Sequence, residues 1–507
     1  MSSGPSEPEK YSIDEMMDRL KNVPSENPED GELVTRADGT QAIRVRKRKR
    51  RSTQPHKEAR HRTRRSRILQ VSSALVLLLG AALVAGVAII YANSSPFRKG
   101  LVSKIEQASG AKTELQQFRV NPKTANAGSL SLEWPEGNVL KNLQLRGLSA
   151  EIFPASFLGK NLTGEEISIT HGVLNLQTPT PGQPRTHIVP GASAIHFNRY
   201  RSPMLDLNLG NPESPYLKLT KTEGSLSPTN VNGRPQLSLY RGDLSIAGWP
   251  KMKLDRALVV FRGEDADVVG LRLLNDGDDR GSLEFSGTVS PFKPDHASTL
   301  AVTLDSFQLA GLTGPGLGRL FSGKVDSLPV ADSNYLSFRP GENPAPKLEI
   351  AFRASPTSRV EVTGFPFLIG LAECMDEWFE KPVFEGDASG VFHREGDVTT
   401  IRKIHFESKD RMAIRGEIAI ARDQTLSGRL EVGVAGNMIA SANTPRLKTM
   451  FGPSKEGFQW ITLKISGSAS APMDNFKEIF LSARTAVVPA AEPEHEESTF
   501  EELTKPR

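Results

Sequence analysis

A mainly β fold behind a single N-terminal membrane-spanning helix is what this sequence of 507 residues predicts, and three observations carry the prediction. Ile68 to Ala92 is a run of 25 residues without a charge. Beyond it, apolar residues recur at every second position in short runs bounded by Gly, Pro, Asn or Asp, the pattern of half-buried strands joined by hairpins. Three of those runs carry a Gly at the same place, where a bulge or a bend in the sheet is expected.

The apolar run is the first element. As an α-helix rising about 1.5 Å per residue it reaches roughly 37 Å, enough to cross a hydrocarbon core of about 30 Å with some tilt. Lipid offers no partner to backbone N–H and C=O, so a lone span has to be helical. Between Gln41 and Arg67 stand 13 Lys and Arg against one acid, Glu58, whereas only Arg98, Lys99 and Lys104 follow closely on the far side. The excess of positive charge places the N-terminus in the cytoplasm and residues 93–507 across the membrane. The basic residues nearest the membrane, Arg46, Lys47, Arg48, Lys49, Arg50, Arg51, Arg64, Arg65 and Arg67, would lie against anionic lipid at about 1 kcal/mol each. A nucleic-acid or nuclear-import patch has the same composition, but position beside the apolar run favours the topogenic role. A cleaved signal peptide does not fit an apolar region this long behind 67 residues.

Composition narrows the remainder. Mean hydropathy is −0.34, and no second stretch approaches the 18 or so apolar residues of another span. Residues 1–67 hold 17 Lys and Arg against 11 Asp and Glu, and residues 68–507 hold 46 against 48. The exported part is thus near neutral and has no excess charge with which to grip a nucleic-acid backbone. A single cysteine, Cys374, excludes an internal disulfide framework and a cysteine-rich metal site. Stability must come from burial.

In chain order, residues 1–67 read as a disordered tail that is acidic first and basic near the membrane. Its one amphipathic patch is Tyr11 to Val23, with Ile13, Met16, Met17 and Leu20 on one helical face. It is either a transient helix or a docking peptide for a cytoplasmic partner. After the span, Phe97, Leu101, Ile105 and Ala108 predict a helix that stops at Gly110. From there to about residue 485 the period is two, for example at Ile167 and Ile169, Leu244 and Ile246, Leu283 and Phe285, Leu300 to Leu304, Leu348 to Phe352, Ile414 to Ile420, and Ile461 to Ile465. Short helices are predicted at about Ala310–Phe321, Pro366–Glu380 and Pro445–Phe451, as caps over an open sheet end. The shared motif reads apolar, variable, apolar, polar, Gly, polar, apolar around Gly287, Gly416 and Gly467. Ordinary hairpin chemistry accounts for each copy alone, and a sheet curved in one direction accounts for all three. Residues 486–507 are acidic with few large apolar side chains and read as a second disordered tail.

Taken together these features resemble the AsmA-like family of bacterial inner-membrane proteins. The likeness rests on the helix closing on Ile105-Glu-Gln-Ala-Ser-Gly110, on Leu143 to Leu176 with a turn at Ser156, Phe157 and Leu158, on the paired strands of Ile414 to Val434, and on Ile465-Ser-Gly467 leading to Pro472. Ser468 and Gly172 depart from the usual Thr and Pro, and the body is shorter than in the longest members. The resemblance implies a long curled antiparallel sheet in residues 93–485, an open groove whose concave apolar face shelters acyl chains, and a role in envelope lipid transport or outer-membrane upkeep. Membrane lipids and other envelope proteins would be the partners, with no nucleic acid, metal or cofactor. The side chains it would turn to lipid are Ile169, Ile246, Leu283, Phe285, Val302, Leu304, Ile350, Phe352, Ile414, Ile418, Leu463 and Ile465. Periodicity alone admits a closed β-sandwich equally well, since both put one apolar face on each strand. That alternative makes the chain a structural adaptor with a partner-binding tail.

Catalytic and metal chemistry is not readable. Nine histidines are scattered singly, His393 and His405 among them, without metal-ligand spacing. Asn275-Asp-Gly-Asp-Asp279 lacks the spacing and terminal Glu of a calcium loop and reads as a hairpin turn. Gly314-Pro-Gly-Leu-Gly318 follows no strand and precedes no Lys-Ser/Thr step, so it is not a phosphate cradle. Cys374 falls on an apolar helix face beside Phe367, Leu371 and Trp378 as an inert thiol. The expectation is a protein that is not an enzyme.

Overall fold

A computed structural model describes residues 32–44, 73, 76–153, 162–177, 195–211, 213–229, 232–293, 295–339 and 346–483. The chain divides into two compact units, Met1–Ala82 and Leu83–Arg507. In the first, Glu32–Thr35 and Gln41–Arg44 pair as an antiparallel hairpin. That corrects the reading of residues 1–67 as wholly without structure. The turn is built by Gly39 at φ 79° and by Asp38, whose carboxylate accepts from the Thr40 hydroxyl at 2.8 Å. The Asp-Gly step is the local signal for it. The basic residues from Arg46 to Arg67, the patch at Tyr11 to Val23, the Ser156 turn and the acidic tail lie outside the described residues.

Helix α1 (Val76–Ala92) meets α2 (Ser95–Ser109) at a bend of 65°. Among the described residues no single helix is long and apolar enough to cross a membrane, while this bent pair passes by length and composition. Residues 68–72, 74 and 75 of the expected span are not among those described. Nine large apolar side chains of α1, from Val76 to Tyr91, are 54% to 73% exposed. Gly110 ends α2 in the left-handed conformation, with its N–H on the Glu106 carbonyl, as the sequence predicts.

One large mixed sheet dominates the second unit. Its principal strands are β1 (Thr124–Glu133), β2 (Leu140–Ile152), β3 (Leu162–Leu176), β4 (Ile195–Asn211), β5 (Ser214–Ser227), β6 (Gln236–Tyr240), β7 (Asp243–Ile246), β8 (Met252–Arg262), β9 (Asp265–Asn275), β10 (Asp278–Val289) and β11 (Ser298–Asp305). They continue as β12 (Tyr335–Phe338), β13 (Lys347–Ala354), β14 (Ala388–Glu395), β15 (Val398–Ser408), β16 (Met412–Ile420), β17 (Leu426–Ala435), β18 (Phe458–Ser468) and β19 (Ala471–Asp474). Each pairs with its neighbour in that order, except that β6 and β7 are two halves of one strand. Both lie between β5 and β8, and the pairing closes on itself around that split. No register among the described residues joins the first short strands, Lys112–Gln116 and Arg119–Val120, to β19.

The sheet is not wholly antiparallel as the sequence suggests. β3 and β4 run parallel. Alternation reports which face a side chain takes and nothing about the direction of the neighbouring strand, so this pair could not be read.

The core is concentrated in the C-terminal part of the sheet. β11 alternates buried and exposed without a break, and the inward residues of β8 to β18 are covered by helices. These are α3 (Leu309–Leu320), α4 (Pro366–Cys374), α5 (Gly436–Ser441), α6 (Pro445–Met450) and α7 (Phe476–Ser482), with a 3-10 turn at Glu377–Glu380. A small three-stranded sheet, Phe321–Ser322, Arg359–Val362 and Val383–Glu385, joins them. The predicted helix of Pro366–Glu380 is thus broken at Met375, and α5 and α7 have periods too short to be legible in advance. One long-range contact crosses the sheet. The Arg394 guanidinium, on β14, donates to the Gly248 carbonyl just past β7 at 2.6 Å. Those strands are seven pairings apart.

Gly287, Gly416 and Gly467 all take positive φ, at 144°, 132° and 84°. At Gly416 a Cβ would come within 2.1 Å of the Arg429 carbonyl oxygen on the paired strand. Backbone cannot swing away as a side chain can. Gly416→Ala is therefore expected to cost about 2–4 kcal/mol, through strain at positive φ plus the displaced ladder. Urea unfolding checks it, and an unchanged midpoint would show the strand re-registers without penalty.

Candidate functional site

Strands β1 to β5 and β7 carry a repeated Leu-x-Leu spacing, of which only Leu244 with Ile246 stands among the alternations named from the sequence. Leu130 and Leu132, Leu143 and Leu145, Leu174 and Leu176, Leu205 to Leu209, Leu217 and Leu219, and Leu244 with Ile246 supply it. Register turns these pairs into rows. Leu132 lies opposite Leu143, Leu143 opposite Leu174, Leu174 opposite Leu207, Leu207 opposite Leu219 and Leu219 opposite Leu244. A second row runs Leu176, Leu209, Leu217 and Ile246. A third runs from Leu130 through Leu145 and Gly172 to Leu205. Residues opposite one another share a face, so the rows form one apolar surface across six strands. At about 4.8 Å per strand and about 6.7 Å between rows it covers roughly 24 Å by 13 Å. That is on the order of 300 Å², the size of the largest apolar patch on many monomers.

The surface is continuous with the core but differs in cover. Leu132, Leu219 and Leu244 are buried, while Leu130, Leu143, Leu145, Leu174, Leu176, Leu207, Leu209 and Ile246 remain half-buried. The helices from α3 onward pack further along the sheet, where exposure falls to zero at Leu283, Ile350 and Phe352.

The reverse face carries a ladder of hydrogen-bonded asparagines. Asn142, Asn175 and Asn208 stand opposite one another between the leucine rows. Asn175 Nδ2 donates to Asn142 Oδ1 at 2.6 Å, and Asn208 Nδ2 to Asn175 Oδ1 at 2.8 Å. A one-residue slip would put asparagines among leucines, so this ladder fixes the register that assembles the apolar face.

Of the twelve side chains expected to face lipid, eleven lie off this surface. Leu283, Phe285, Val302, Leu304, Ile350, Phe352, Ile414, Ile418, Leu463 and Ile465 are at most 5% exposed and belong to the chain's own core. Ile169 is 7% exposed outside that core, and only Ile246 lies on the half-buried surface. Alternation identified an inward face correctly in kind but could not say what covers it.

The other candidates of the sequence take structural places. Asn275 and Asp278 close the hairpin between β9 and β10. Gly314, at φ 79°, kinks α3 ahead of Pro315. His393 is 4% exposed, between Glu349 at 3.2 Å and Glu395 at 3.5 Å. His405 lies 3.8 Å from Glu407, two residues on along the same face of β15. Cys374, half-buried, ends α4. Among the described residues no group of three or more His, Cys, Asp or Glu could hold a metal ion.

Within the second unit, the end of α1 is fastened to the sheet edge. Asn93 Nδ2 donates to the Val120 carbonyl at 2.8 Å, and Asn93 Oδ1 accepts from the Val120 N–H at 2.7 Å. The side-chain amide thus imitates a paired strand residue. Ala92, 1% exposed, packs with Val120, Ala125, Ala150, Ile152 and Phe197 beside it, and Phe97 stacks on Phe118 at 6.4 Å. Removing the clamp with Asn93→Ala is expected to speed amide exchange at Val120 about 10- to 100-fold, since one or two hydrogen bonds to buried backbone are lost. Unchanged protection at Val120 would show that the aromatic contacts alone hold the junction.

No family model, curated protein or solved structure matches this chain.

Proposed function

We propose that the protein is a membrane-anchored, non-catalytic lipid carrier of the AsmA-like kind, in which the half-buried leucine surface of β1 to β7 holds acyl chains. The single observation that carries the reading is that surface: six strands of leucine backed by a ladder of asparagines, with none of the helices α3 to α7 among the described residues assigned to its cover. A folded sheet gains by covering such a face, at about 0.8 kcal/mol per CH₂ removed from water. A length of roughly 24 Å accommodates an acyl chain that spans about 15 Å, half the hydrocarbon core.

Two further observations support the anchor and the trough. The exposed apolar side chains of α1 suit lipid better than water, and the 13 basic residues between Gln41 and Arg67 orient the N-terminus to the cytoplasm. The body would then stand in the periplasm of a bacterial inner membrane, among other envelope proteins. A flat sheet would hold Arg394 and Gly248 about 34 Å apart, so their contact fits a sheet curled into a trough. The closed-sandwich adaptor lacks such support, since the cover over the core is mostly helical.

Native mass spectrometry of the full-length chain, extracted from membranes in a non-ionic detergent, tests the proposal. Mass increments equal to phospholipid or fatty acid are expected. A chain that emerges bare from every mild extraction, and takes up no added lipid, would end the reading.

A further inference from the structure

The row Leu176, Leu209, Leu217 and Ile246 does not end in solvent. Three residues past Ile246 stands Trp249, packed against the core, and the Arg394 guanidinium lies over its ring at 4.7 Å. Arg394 projects from the inward face of β14, opposite Leu348, which is fully buried. It is itself only 6% exposed. One terminal nitrogen donates to the Gly248 carbonyl, and Nε is buried with no partner. Among the described residues it has no ion pair: Asp397, whose charge raises its pKa, pairs with Arg422 at 3.5 Å. Burial draws the guanidinium's pKa down, opposed by Tyr216 and Asp397.

A buried cation without a counter-charge is costly, and natural proteins keep one mainly where an anion completes it. A guanidinium presents its donors as a fork that fits the two oxygens of a carboxylate or phosphate. We propose that Arg394 is the head-group site of the trough, taking the oxyanion of an acidic lipid whose acyl chain lies along the leucine rows. The inference rests on the lipid-carrier reading and adds the class of cargo: acidic amphiphiles are selected over neutral ones of the same chain. Trp249 holds the guanidinium's face, which leaves its edge for the ligand.

Competition binding to the full-length chain in non-ionic detergent tests this, with occupancy read by native mass spectrometry. Oleic acid is set against methyl oleate, and lysophosphatidic acid against monoolein. In the wild type the acidic member of at least one pair is expected to win by about 10- to 100-fold, the range of a charge-assisted hydrogen bond. Which pair discriminates distinguishes carboxylate from phosphate. Arg394→Gln, whose shorter amide carries no charge, is expected to abolish the preference within each pair. Equal occupancy within both wild-type pairs overturns the head-group site and leaves the carrier intact. A preference that survives in Arg394→Gln also overturns it. Binding of none of the four compounds overturns both. The wild-type comparison needs no variant, so a misfolded Arg394→Gln would not shelter the proposal.

Discussion

Leu174→Asp combined with Leu207→Asp is expected, on the lipid-carrier proposal, to abolish lipid binding while leaving the sheet folded. The two leucines lie opposite one another on the parallel pair β3 and β4, in the middle of the longest row. Each is half-buried, so its own chain loses little beyond local packing and a like-charge pair across the strands, together about 1–3 kcal/mol. An acyl chain lying there would instead have to strip water from two carboxylates. That costs several kcal/mol and reduces occupancy at least about tenfold. Native mass spectrometry reads the occupancy, and circular dichroism with thermal melting reads the fold. Lipid retained at the wild-type level by a folded double variant would place the cargo somewhere other than the leucine surface. Phe285→Asp or Ile465→Asp, which the sequence alone would nominate, do not make this test. Those side chains are 4% and 3% exposed inside the chain's own core, and a buried unpaired carboxylate there costs about 3–5 kcal/mol of stability whatever the protein binds.

Phe321→Ala is expected to be the most destabilising single truncation. Phe321 is fully buried where α3 runs into the three-stranded sheet. Its ring meets Phe365 at 5.8 Å and Phe406 at 6.0 Å, and Phe406 continues to Phe384 at 5.7 Å. One side chain thus ties a covering helix, the small sheet and β15 of the large sheet together. Its removal loses the transfer free energy of a ring and leaves a cavity that three separate elements cannot jointly close, so a cost of about 3–5 kcal/mol is expected. The urea midpoint measures it. On the proposed lipid-carrier function, the variant should keep its lipid below its lowered melting temperature, because Phe321 lies among the helix-covered strands and not on the leucine rows. A loss under about 1 kcal/mol would mean that the cluster is loosely packed and that the cover is held elsewhere.

Several elements were open to reading from particular residues. Helical spacing from Phe97 to Ala108 and the stop at Gly110 located α2, since both signals act within one helical turn. Alternation at Leu300, Val302 and Leu304 located β11 and its inward face, because successive side chains of a strand must point to opposite sides. The shared glycines at 287, 416 and 467 were readable as special positions, and each takes a backbone conformation that other residues resist. The leucine surface was visible in principle as repeated Leu-x-Leu pairs. Apart from Ile246 it lacks the β-branched residues that usually signal strands, so its local strand signal is weaker than that of the isoleucines and phenylalanines of the core. Arg394 offered no signal at all. Its neighbours Gly248 and Trp249 are about 146 positions away, and nothing local to an arginine on a strand says that it is buried.

By itself, then, the chain's order of residues determined which stretches become strand or helix, which side of each strand avoids water, and where the uncharged run and its basic flank stand, because all of these follow from neighbours within a few positions. Only the tertiary structure decided that β3 and β4 run parallel, that helices from the C-terminal part close over β8 to β18 but stop short of the leucine rows, and that a lone guanidinium meets Trp249 across the sheet. Cover, strand direction and long-range pairing depend on how distant segments meet in space, and a local pattern is the same whether its apolar face is sealed by the chain or left for something else.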